Sequence, residues 1–221
     1  MPKRLSDPPK LRVFLAGATG VIGIRLLPPL LAGGNTVAAM TRSADKLDHL
    51  RTLGAHPVLC DVFDAAALIE AVTTFGPDAV IHQLTDLPDH IDQLSEFAAR
   101  NDRIRTEGTH NLVAATKASG ALHLLAQSIA WRPPGRGESV DQHERQVLEA
   151  RGVVVRYGQL YGPGTFYEAL IPPPPRLHVD AVAQATLPLI HAPSGVVVLV
   201  EDPEAHDRAQ PAPGSPRIFA T

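Results

Sequence analysis

The chain has 221 residues, of which 44% are hydrophobic and 19% charged, a composition that predicts a packed core in one large domain. Its 20 Lys and Arg against 23 Asp and Glu give a net charge of −3. That balance offers no attraction to nucleic acid or anionic lipid, so neither nucleic acid nor membrane is an expected partner. The single cysteine, Cys60, excludes an intramolecular disulfide and a metal site of several cysteines. We expect a cytoplasmic protein, since no apolar run approaches the ~20 residues that span a bilayer.

Short apolar runs alternate with helical patterns along the chain. The runs are apolar on both faces, which is typical of parallel strands covered by helices. They cover residues 11–16, 36–40, 57–60, 78–82, 122–126, 153–157 and 195–200. The helical patterns cover residues 21–32, 44–53, 65–75, 92–119, 140–150 and 179–189. This alternation predicts the α/β class, with a doubly wound parallel Rossmann sheet.

Prolines divide the chain, because proline fixes φ and removes a backbone donor. The run 172–175 cannot lie in a helix or a central strand and is predicted to be a linker. The predicted organisation is a disordered N-terminus, a Rossmann dinucleotide-binding domain, a remnant substrate region with the last strand, and a Pro-rich irregular tail. These parts cover residues 1–10, 11–171, 172–203 and 204–221. Pro28 and Pro29 fall inside the first helical pattern and predict a bent helix.

A glycine-rich turn, Gly17-Ala-Thr-Gly20-Val-Ile-Gly23, separates the first predicted strand from the first predicted helix. Glycine permits a tight turn and lets a phosphate approach the backbone without meeting a Cβ. The unpaired N–H groups and the positive dipole of a helix start favour an anion there. The turn therefore predicts a dinucleotide site. Its members are Gly17, Thr19, Gly20, Val21, Ile22 and Gly23.

The spacing of these three glycines resembles that of the extended and atypical short-chain dehydrogenase/reductases, the NAD(P)-dependent epimerase/dehydratase family. Further segments resemble the same family in the same order. They are Asp61-Val62, the helical segment 107–115, Gln127-Ser128, the Arg-x-x-x-x-Tyr-Gly-Pro segment 156–163, and His178-Val-Asp180. The resemblance covers roughly residues 11–200. It implies that Asp61 and Val62 contact the adenine, and that residues 92–119 and 140–150 form the contact of a homodimer.

The end of the second predicted strand bears on the choice of cofactor. An enzyme that selects NAD commonly has a carboxylate there for the ribose 2′-hydroxyl. This chain has Thr41, Arg42 and Ser43 instead, and guanidinium and hydroxyl groups suit a 2′-phosphate. The sequence favours NADP, with NAD possible; the alternative is that Arg42 is only a solvated residue at a helix start. The residues that follow the fourth strand should lie beside the nucleotide and contact it through side chain or backbone. They are Gln83, Leu84 and Thr85.

The resemblance implies a catalytic tyrosine, a lysine four residues later, and a serine or threonine that orients the substrate carbonyl. No tyrosine or lysine lies between Ser128 and Arg156, and the expected Tyr and Lys positions hold Arg136 and Val140. Ser128 is the candidate for the third role, with service to the nucleotide or to a backbone turn alone as the alternative. Tyr157 and Tyr161 are substitute acid–base candidates, with packing beside a strand as the alternative.

Two further expectations concern histidine. The 10 histidines show no metal-ligand spacing, so no metal is predicted. His143, near the expected catalytic end, could titrate near neutral pH, but we interpret it as a solvated helix residue.

Three functions fit these residues. The first is an atypical NADP-dependent oxidoreductase or epimerase that acts on a small-molecule substrate, for example a specialised metabolite. The alternatives are a non-catalytic NADP-binding redox sensor or interaction module, and a non-redox isomerase or cyclase. The short span from Pro163 to His178 predicts a reduced C-terminal substrate region in each case.

Overall fold

The computed structural model describes residues 9–132 and 137–201, together with the backbone of residues 216–220. Its strands are β1 (Arg12–Ala16), β2 (Thr36–Thr41), β3 (His56–Leu59), β4 (Ala79–His82), β5 (His123–Ile129), β6 (Val153–Tyr157), β7 (Gln159–Tyr161), β8 (Arg176–His178), β9 (Gly195–Glu201) and β10 (Pro216–Ala220). Its α-helices are α1 (Gly23–Ala32), α2 (Leu47–Thr52), α3 (Ala65–Phe75), α4 (Ala98–Arg103), α5 (Thr109–Ser119), α6 (Gly137–Glu149) and α7 (Ala181–Thr186).

The main sheet has eight strands in the order β10-β9-β6-β5-β4-β1-β2-β3. All neighbours are parallel except β10, which pairs antiparallel with β9. From β1 the chain builds outward through β2 and β3, then returns to place β4 on the other side of β1. The carboxyl ends of β1 and β4 therefore adjoin at a switch point, where ligands of such sheets bind. β7 and β8 form a separate parallel pair.

Helices cover both faces of this sheet, as the apolar strands predict. Residues alternate between the faces, so that Leu15 packs with α1 and α7 while Phe14 packs with α3, α5 and α6. Leu26 of α1 and Leu112 of α5 are fully buried in these two cores. The doubly wound α/β fold predicted from the sequence is confirmed.

Helix α1 continues through Pro28 and Pro29. Both prolines are exposed, while Leu26, Leu27 and Leu30 are buried. The apolar stripe thus packs on the sheet and keeps the helical backbone in place, with the proline rings outside.

The long helix predicted over 92–119 is interrupted. Within it lie α4, a π-helical turn at Ile104–Gly108, and α5. Gly108 packs on Val62, where a Cβ would meet a methyl carbon at 3.3 Å, and the Thr109 hydroxyl bonds the Ile104 carbonyl at 3.3 Å. The approach of Gly108 to Val62 and the hydrogen bond of Thr109 to Ile104 accompany the π turn. Neither feature changes the hydrophobic periodicity, so the sequence pattern does not predict the interruption.

The division predicted at residue 171 does not mark a boundary in the sheet. β9 pairs with β6, and α7 packs in the same core as α1. β10 lies within the tail 204–221 that was predicted to be Pro-rich and mostly irregular, and these five residues of the tail extend the sheet. The rest of that tail, and residues 1–8 of the predicted disordered N-terminus, lie outside the described residues.

The proline run 172–175 is irregular, but it is not the free linker that the sequence suggested. The Gln159 amide donates to the Pro175 carbonyl at 2.8 Å, and the Gln159 side chain donates to the Pro173 carbonyl at 3.0 Å. Arg176 donates to the Pro172 carbonyl at 3.3 Å. The proline carbonyls thereby hold the run against β7 and β8.

Candidate nucleotide site

The glycine turn leaves no room for side chains at two of its three glycines. A Cβ on Gly17, whose φ is +85°, would lie 2.7 Å from the carbonyl carbon and oxygen of Gln83. A Cβ on Gly23 would lie 2.1 Å from the Gly17 oxygen. Gly20 differs, because its Cβ would meet nothing closer than the Gly17 oxygen at 3.4 Å. Two glycines are therefore required by the fold, and the third keeps the surface of the turn open.

The start of α1 has the features of an anion site. Its N-cap is Ile22, which has no side chain able to cap the helix, and its first turn contains no acidic residue. The first amides of a helix have no acceptor within the helix. The Ile24 and Arg25 amides already donate to the Gly20 and Ile22 carbonyls at 3.0 Å each. Since no acidic or capping side chain among the described residues occupies the helix start, its positive dipole end and the amides nearest the turn suit a bound anion.

The end of β2 touches the glycine turn. The Thr41 hydroxyl, which is buried, lies 3.3 Å from the Thr19 hydroxyl and accepts a hydrogen bond from the Ser43 amide at 3.2 Å. Arg42 is half exposed and forms an ion pair with Asp86 at 2.9 Å. It is therefore not a merely solvated residue, the alternative that the sequence left open.

Asp61 and Val62 follow β3 at the same edge. Asp61 is exposed, accepts a hydrogen bond from the Phe63 amide at 2.9 Å, and lies near enough to Arg42 to help raise the pKa of that guanidinium. Val62 is buried, and its carbonyl accepts a hydrogen bond from Asn111 at 3.0 Å. Of the two predicted adenine contacts, only Asp61 presents its side chain to the surface.

The three residues after β4 lie in different environments. Gln83 is 5% exposed, and among the described residues neither polar atom of its side chain has a hydrogen-bond partner. Its carboxamide lies near the Tyr157 phenol, where it offsets only part of the rise in pKa that burial causes. The Leu84 carbonyl accepts a hydrogen bond from Gln127 at 3.2 Å, and Thr85 is exposed.

A buried chain of hydrogen bonds supports the β4 loop. The Leu84 amide donates to His82 Nδ1 at 3.2 Å, so His82 Nε2 carries the proton toward Thr109 Oγ1, 3.0 Å away. Thr109 then donates to His143 Nδ1 at 2.7 Å, and His143 Nε2 donates to the Gln127 carbonyl at 2.8 Å. His82 is neutral in this arrangement, because its Nδ1 accepts and its Nε2 donates, whereas the single proton of Thr109 is shared between His143 Nδ1 and the Ile104 carbonyl at 3.3 Å.

Burial keeps these histidines neutral at physiological pH. It lowers the pKa of His143 to about 4, against the opposing effect of the Gln127 carbonyl. It also places the pKa of His82 well below its ordinary value, with a contribution from His143. The prediction that His143 is a solvated helix residue is wrong, because this side chain is 2% exposed.

Ser128 is joined to a buried ion pair on the α6 side of the sheet. Its hydroxyl donates to Glu144 Oε1 at 2.6 Å, and Arg156 donates to the same carboxylate at 2.9 and 2.5 Å. Burial opposes ionisation of Glu144, but the hydrogen bonds from Arg156 and Ser128 outweigh it and lower the pKa of this carboxyl. The only proton of the Ser128 hydroxyl is therefore already committed.

The two candidate tyrosines are packed inside the protein. Tyr157 is 2% exposed and bonds the Thr186 hydroxyl at 2.9 Å, and burial raises the pKa of its phenol to about 12. Tyr161 donates to Glu201 at 2.8 Å, and burial together with that carboxylate raises the pKa of Tyr161 as well. Both are poor acids and bases near neutral pH.

The positions of the absent Tyr-x-x-x-Lys pair supply no substitute among the described residues. Val140 is fully buried in the protein, and Arg136 lies outside the described residues. In the part of the chain that the structure describes, no three His, Cys, Asp or Glu residues are grouped to hold a metal ion, and no helix has the length and apolarity to cross a membrane.

A family profile described as NAD(P)H-binding matches residues 17–151, from the glycine turn to just beyond α6. The chain belongs to this NAD(P)H-binding family. The resemblance predicted from the glycine spacing is confirmed at the level of an NAD(P)H-binding family, since this match begins at the glycine turn itself. A nicotinamide cofactor is therefore the cofactor of the family, while the choice between NADP and NAD is not decided by this match.

Solved structures share the Rossmann fold of this family member. The UDP-glucose 4-epimerase of Thermus thermophilus, in complex with NAD, superposes with a TM-score of 0.72 at 20% identity, covering 93% of this chain and 86% of that one. The Bordetella bronchiseptica enzyme WbmG, in complex with NAD, gives a TM-score of 0.69 at 19% identity over 89% of this chain and 74% of its own.

Two curated relatives are named as reductases. The 3-diazoavenalumate denitrifying reductase of a Streptomyces species is 38% identical over 182 residues, which are 71% of this chain and 59% of that protein. A dihydroquinoline-1-oxide ketoreductase of Stigmatella aurantiaca is 32% identical over 177 residues, 69% of this chain and 51% of its own length. This family member thus spans between about half and three-fifths of these relatives.

Several residues at this edge escaped the sequence reasoning. Asp86, Arg100 and Thr109 are polar residues in loops or helices with no local pattern that marks them, and only the folded chain brings them to the nucleotide loop. His82 ends a strand that was correctly predicted. A polar side chain in the last position of a buried strand is a usable signal for a residue that supports a site.

Proposed function

We propose that the chain binds NADP(H) across the carboxyl edge of the sheet and acts as a reductase on a small-molecule substrate. The observation that carries this proposal is the glycine turn, where Gly17 and Gly23 have no space for a side chain and Gly20 leaves the start of α1 open. No acidic or capping side chain competes there, so this helix start suits a diphosphate.

The proposed cofactor contacts follow the order of the strands along the edge. The turn contacts the diphosphate, the end of β2 the 2′-phosphate, the end of β3 the adenine, and the end of β4 the inner part of the nucleotide. These contacts are Gly17, Thr19, Gly20, Val21, Ile22 and Gly23; Thr41, Arg42 and Ser43; Asp61 and Val62; and Gln83, Leu84 and Thr85. The absence of a carboxylate in residues 41–43 supports NADP over NAD.

Gln83 is the proposed contact at the nicotinamide end. A buried amide without a partner is costly, because it has lost its bonds to water and gained none in return. Its backbone lies against Gly17 and its side chain lies near Tyr157, so it stands at the switch point between β1 and β4. We assign this carboxamide to the polar groups of the nicotinamide or its ribose, which would satisfy it.

A cleft of about 470 Å³ at the same edge is the proposed substrate site. It lies between residues 89–92 of the loop after β4 and residues 165–170 after β7. Its lining includes three carboxylates, Asp89, Asp92 and Glu168, with no lysine or arginine. A larger cleft lies at the opposite edge, beside Arg12 and Phe75, too far along β1 from the glycine turn to take part. The acidic lining favours a substrate with positive charge.

Tyr157 and Tyr161 are not free to protonate a substrate oxygen, since their hydroxyls bond Thr186 and Glu201, so we propose a reaction that needs no such proton. When bound, NADPH supplies a hydride, and a hydride that replaces a diazonium group forms a C–H bond while dinitrogen leaves with the electrons of the broken C–N bond. This exchange leaves no alkoxide, so the protein need not supply a general acid. The name of the Streptomyces relative describes a denitrifying reduction of a diazo compound. We therefore propose a cationic hydride acceptor such as an aryl diazonium ion, held by the acidic cleft.

Single-turnover kinetics tests this proposal. NADPH oxidation and dinitrogen release are measured with an aryl diazonium ion and with a panel of ketones, against a reaction without protein and against Gly20→Ala. The proposal predicts faster reduction of the diazonium ion than in either control, with one dinitrogen released per NADPH oxidised. Reduction of ketones alone, or a diazonium rate equal to the rate without protein, contradicts it.

A non-catalytic NADP-binding sensor is the second candidate. The observation that favours it is that Ser128, Tyr157 and Tyr161 are all committed to internal hydrogen bonds. This candidate predicts that NADPH and NADP⁺ bind with different affinities and that no substrate panel oxidises NADPH. Turnover above the background rate with any acceptor removes it.

Two further expectations, one from the family resemblance and one from the composition, stay proposals. One is a homodimer that forms through the region of α5 and α6. Light scattering of the purified chain tests it by measuring the molar mass in solution. The other is a cytoplasmic location, which cell fractionation tests. A monomer at micromolar concentration, or the chain in the membrane fraction, contradicts the respective expectation.

A further inference from the structure

Asp86, in the loop after β4, is the centre of a buried charge cluster. It is 5% exposed, and its amide donates to Asn101 Oδ1 at 3.1 Å. Arg42 donates to its two carboxylate oxygens at 2.9 and 3.3 Å, and Arg100 of α4 donates to the same two oxygens at 3.0 Å each. Two guanidinium groups from different elements therefore share one carboxylate.

This cluster, Arg42-Asp86-Arg100, presents only hydrogen-bond donors to solvent. The carboxylate is buried and already accepts four hydrogen bonds, so it has no capacity left for a ribose hydroxyl. The two arginine side chains are 54% and 52% exposed, and each retains N–H groups that Asp86 does not use. With two cations and one anion, the three groups carry a net charge of +1, and the exposed carboxylate of Asp61 is a further anion near Arg42. A donor-only, positively charged surface suits an anion.

The location of the cluster identifies the anion. Arg42 directly follows Thr41, whose hydroxyl contacts Thr19 of the glycine turn at 3.3 Å. Asp61, the proposed adenine contact, follows β3, which pairs with β2 so that Thr41 lies beside Leu59, and it is near enough to Arg42 to act on its charge. The cluster thus stands beside the adenosine end of the proposed nucleotide site. Arg100 is further fixed there by packing on the Phe97 ring, with its guanidinium carbon 4.4 Å from the ring centroid.

We propose that Arg100 is a second ligand of the NADP 2′-phosphate, beside Arg42, and that Asp86 is a positioning residue that holds the two guanidinium groups together. The inference rests on the proposed NADP(H)-binding function. Sequence alone assigns only Arg42 to the phosphate, because Arg100 lies 58 positions further along the chain and reaches the site through Asp86. Selectivity for NADP over NAD then depends on both arginines and on the carboxylate between them.

The test compares the affinities of NADPH and NADH for the wild type, Arg42→Met, Arg100→Met and Arg51→Met by calorimetry. Arg51 is the control, an exposed arginine on α2 paired with Asp48. We expect Arg42→Met and Arg100→Met each to lower the affinity for NADPH roughly tenfold or more and to leave the affinity for NADH within about twofold of the wild type. Arg51→Met should change neither affinity. The affinities for adenosine 2′,5′-bisphosphate and adenosine 5′-phosphate are measured in the same way, so that the comparison is also made for the adenosine end alone.

Asp86→Ala tests the positioning role. A defect of the fold would lower the affinities for NADPH and NADH alike. Loss of positioning alone should lower the NADPH affinity severalfold and leave the NADH affinity unchanged. Arg100→Lys keeps the charge without the bidentate geometry and should give an intermediate NADPH affinity. The melting temperatures of both variants are also measured, so that a folding defect is recognised.

The outcomes separate this inference from the function on which it rests. A wild type that prefers NADPH, with the same preference in Arg100→Met, overturns the role of Arg100 and leaves the reductase proposal standing. A wild type that binds neither nucleotide overturns the NADP(H)-binding proposal and this inference with it. A wild type that prefers NADH overturns the 2′-phosphate assignment for both arginines.

Discussion

At Gly23 the fold has no room for a methyl group. A Cβ there would lie 2.1 Å from the Gly17 oxygen and 2.9 Å from the Ala18 Cα, both backbone atoms that cannot rotate away. We predict that Gly23→Ala lowers the free energy of unfolding by about 2–4 kcal/mol, measured by urea denaturation. Gly195→Ala is the control, since a Cβ at Gly195 would meet nothing within 4 Å. Equal stability of the two variants contradicts the packing described for the turn.

Gln83 should respond in opposite directions to two measurements. In the free protein its amide is buried and unpaired, so Gln83→Leu removes a desolvated polar group and should leave the free energy of unfolding unchanged or raise it by about 1 kcal/mol. NADPH affinity should fall because the bound nucleotide loses its partner. Denaturation and calorimetry on the same samples test both signs. A destabilised variant with unchanged NADPH affinity would assign Gln83 a structural role only.

At the scale of elements, the histidine chain joins β4, α5, α6 and β5. The free energy of unfolding should therefore fall as the pH drops from about 6.5, the ordinary pKa of histidine, toward about 4, the pKa of His143 in the folded state. In that window the unfolded chain binds a proton that folded His143 does not, and the loss is on the order of 1–3 kcal/mol.

His143→Gln tests this linkage, because glutamine keeps a donor and an acceptor but does not titrate. Its unfolding free energy should depend less on pH between about 6.5 and 4 than that of the wild type. Burial also lowers the pKa of His82, so part of the pH dependence of the unfolding free energy should remain in the variant. Glu144, with a lowered pKa, contributes stability above its unfolded pKa that is lost only at lower pH. An unchanged slope in the variant would show that His143 is not the group involved.

The Glu144–Arg156 pair anchors α6 to β6. Glu144→Gln removes the charge that Arg156 and Ser128 share, and we expect a loss of about 1–3 kcal/mol in unfolding free energy. The matched control is Glu107→Gln, whose partner Arg103 is an exposed neighbour on the helix surface and whose loss should leave the unfolding free energy nearly unchanged, because water screens the pair. Similar losses in the two variants would contradict the distinction between the buried and the exposed pair.

At the scale of the whole molecule, hydrophobic patterning predicted the seven parallel strands because most of them are buried on both faces. The edge strand β3 is the exception, since its residues are half-buried or exposed. It did not predict β7 and β8, which have three residues each and depend on hydrogen bonds to one another and to the proline run. β10 lies in proline-rich sequence, and only its pairing with β9 makes it a strand. Short or edge strands depend on distant partners rather than on their own composition.

The candidate site divides in the same way. The glycine turn could be predicted because steric exclusion at Gly17 and Gly23 leaves a mark in the sequence itself. The environments of Ser128, Tyr157 and Tyr161 could not, since their partners Glu144, Thr186 and Glu201 lie 16 to 40 positions away. The role of Asp86 likewise needs two arginines that the fold brings together. Local chemistry was predictable, whereas charge pairing across elements was not.

The binding of NADPH at the glycine turn is tested most directly by calorimetry of the wild type and Gly20→Ala. A Cβ at Gly20 would have only one neighbour, at 3.4 Å, so the variant should keep its melting temperature while the methyl group obstructs the diphosphate. We predict one NADPH per chain for the wild type and a loss of about tenfold or more in affinity for Gly20→Ala. No binding by the wild type at millimolar NADPH, or equal affinities in the two proteins, would contradict the account.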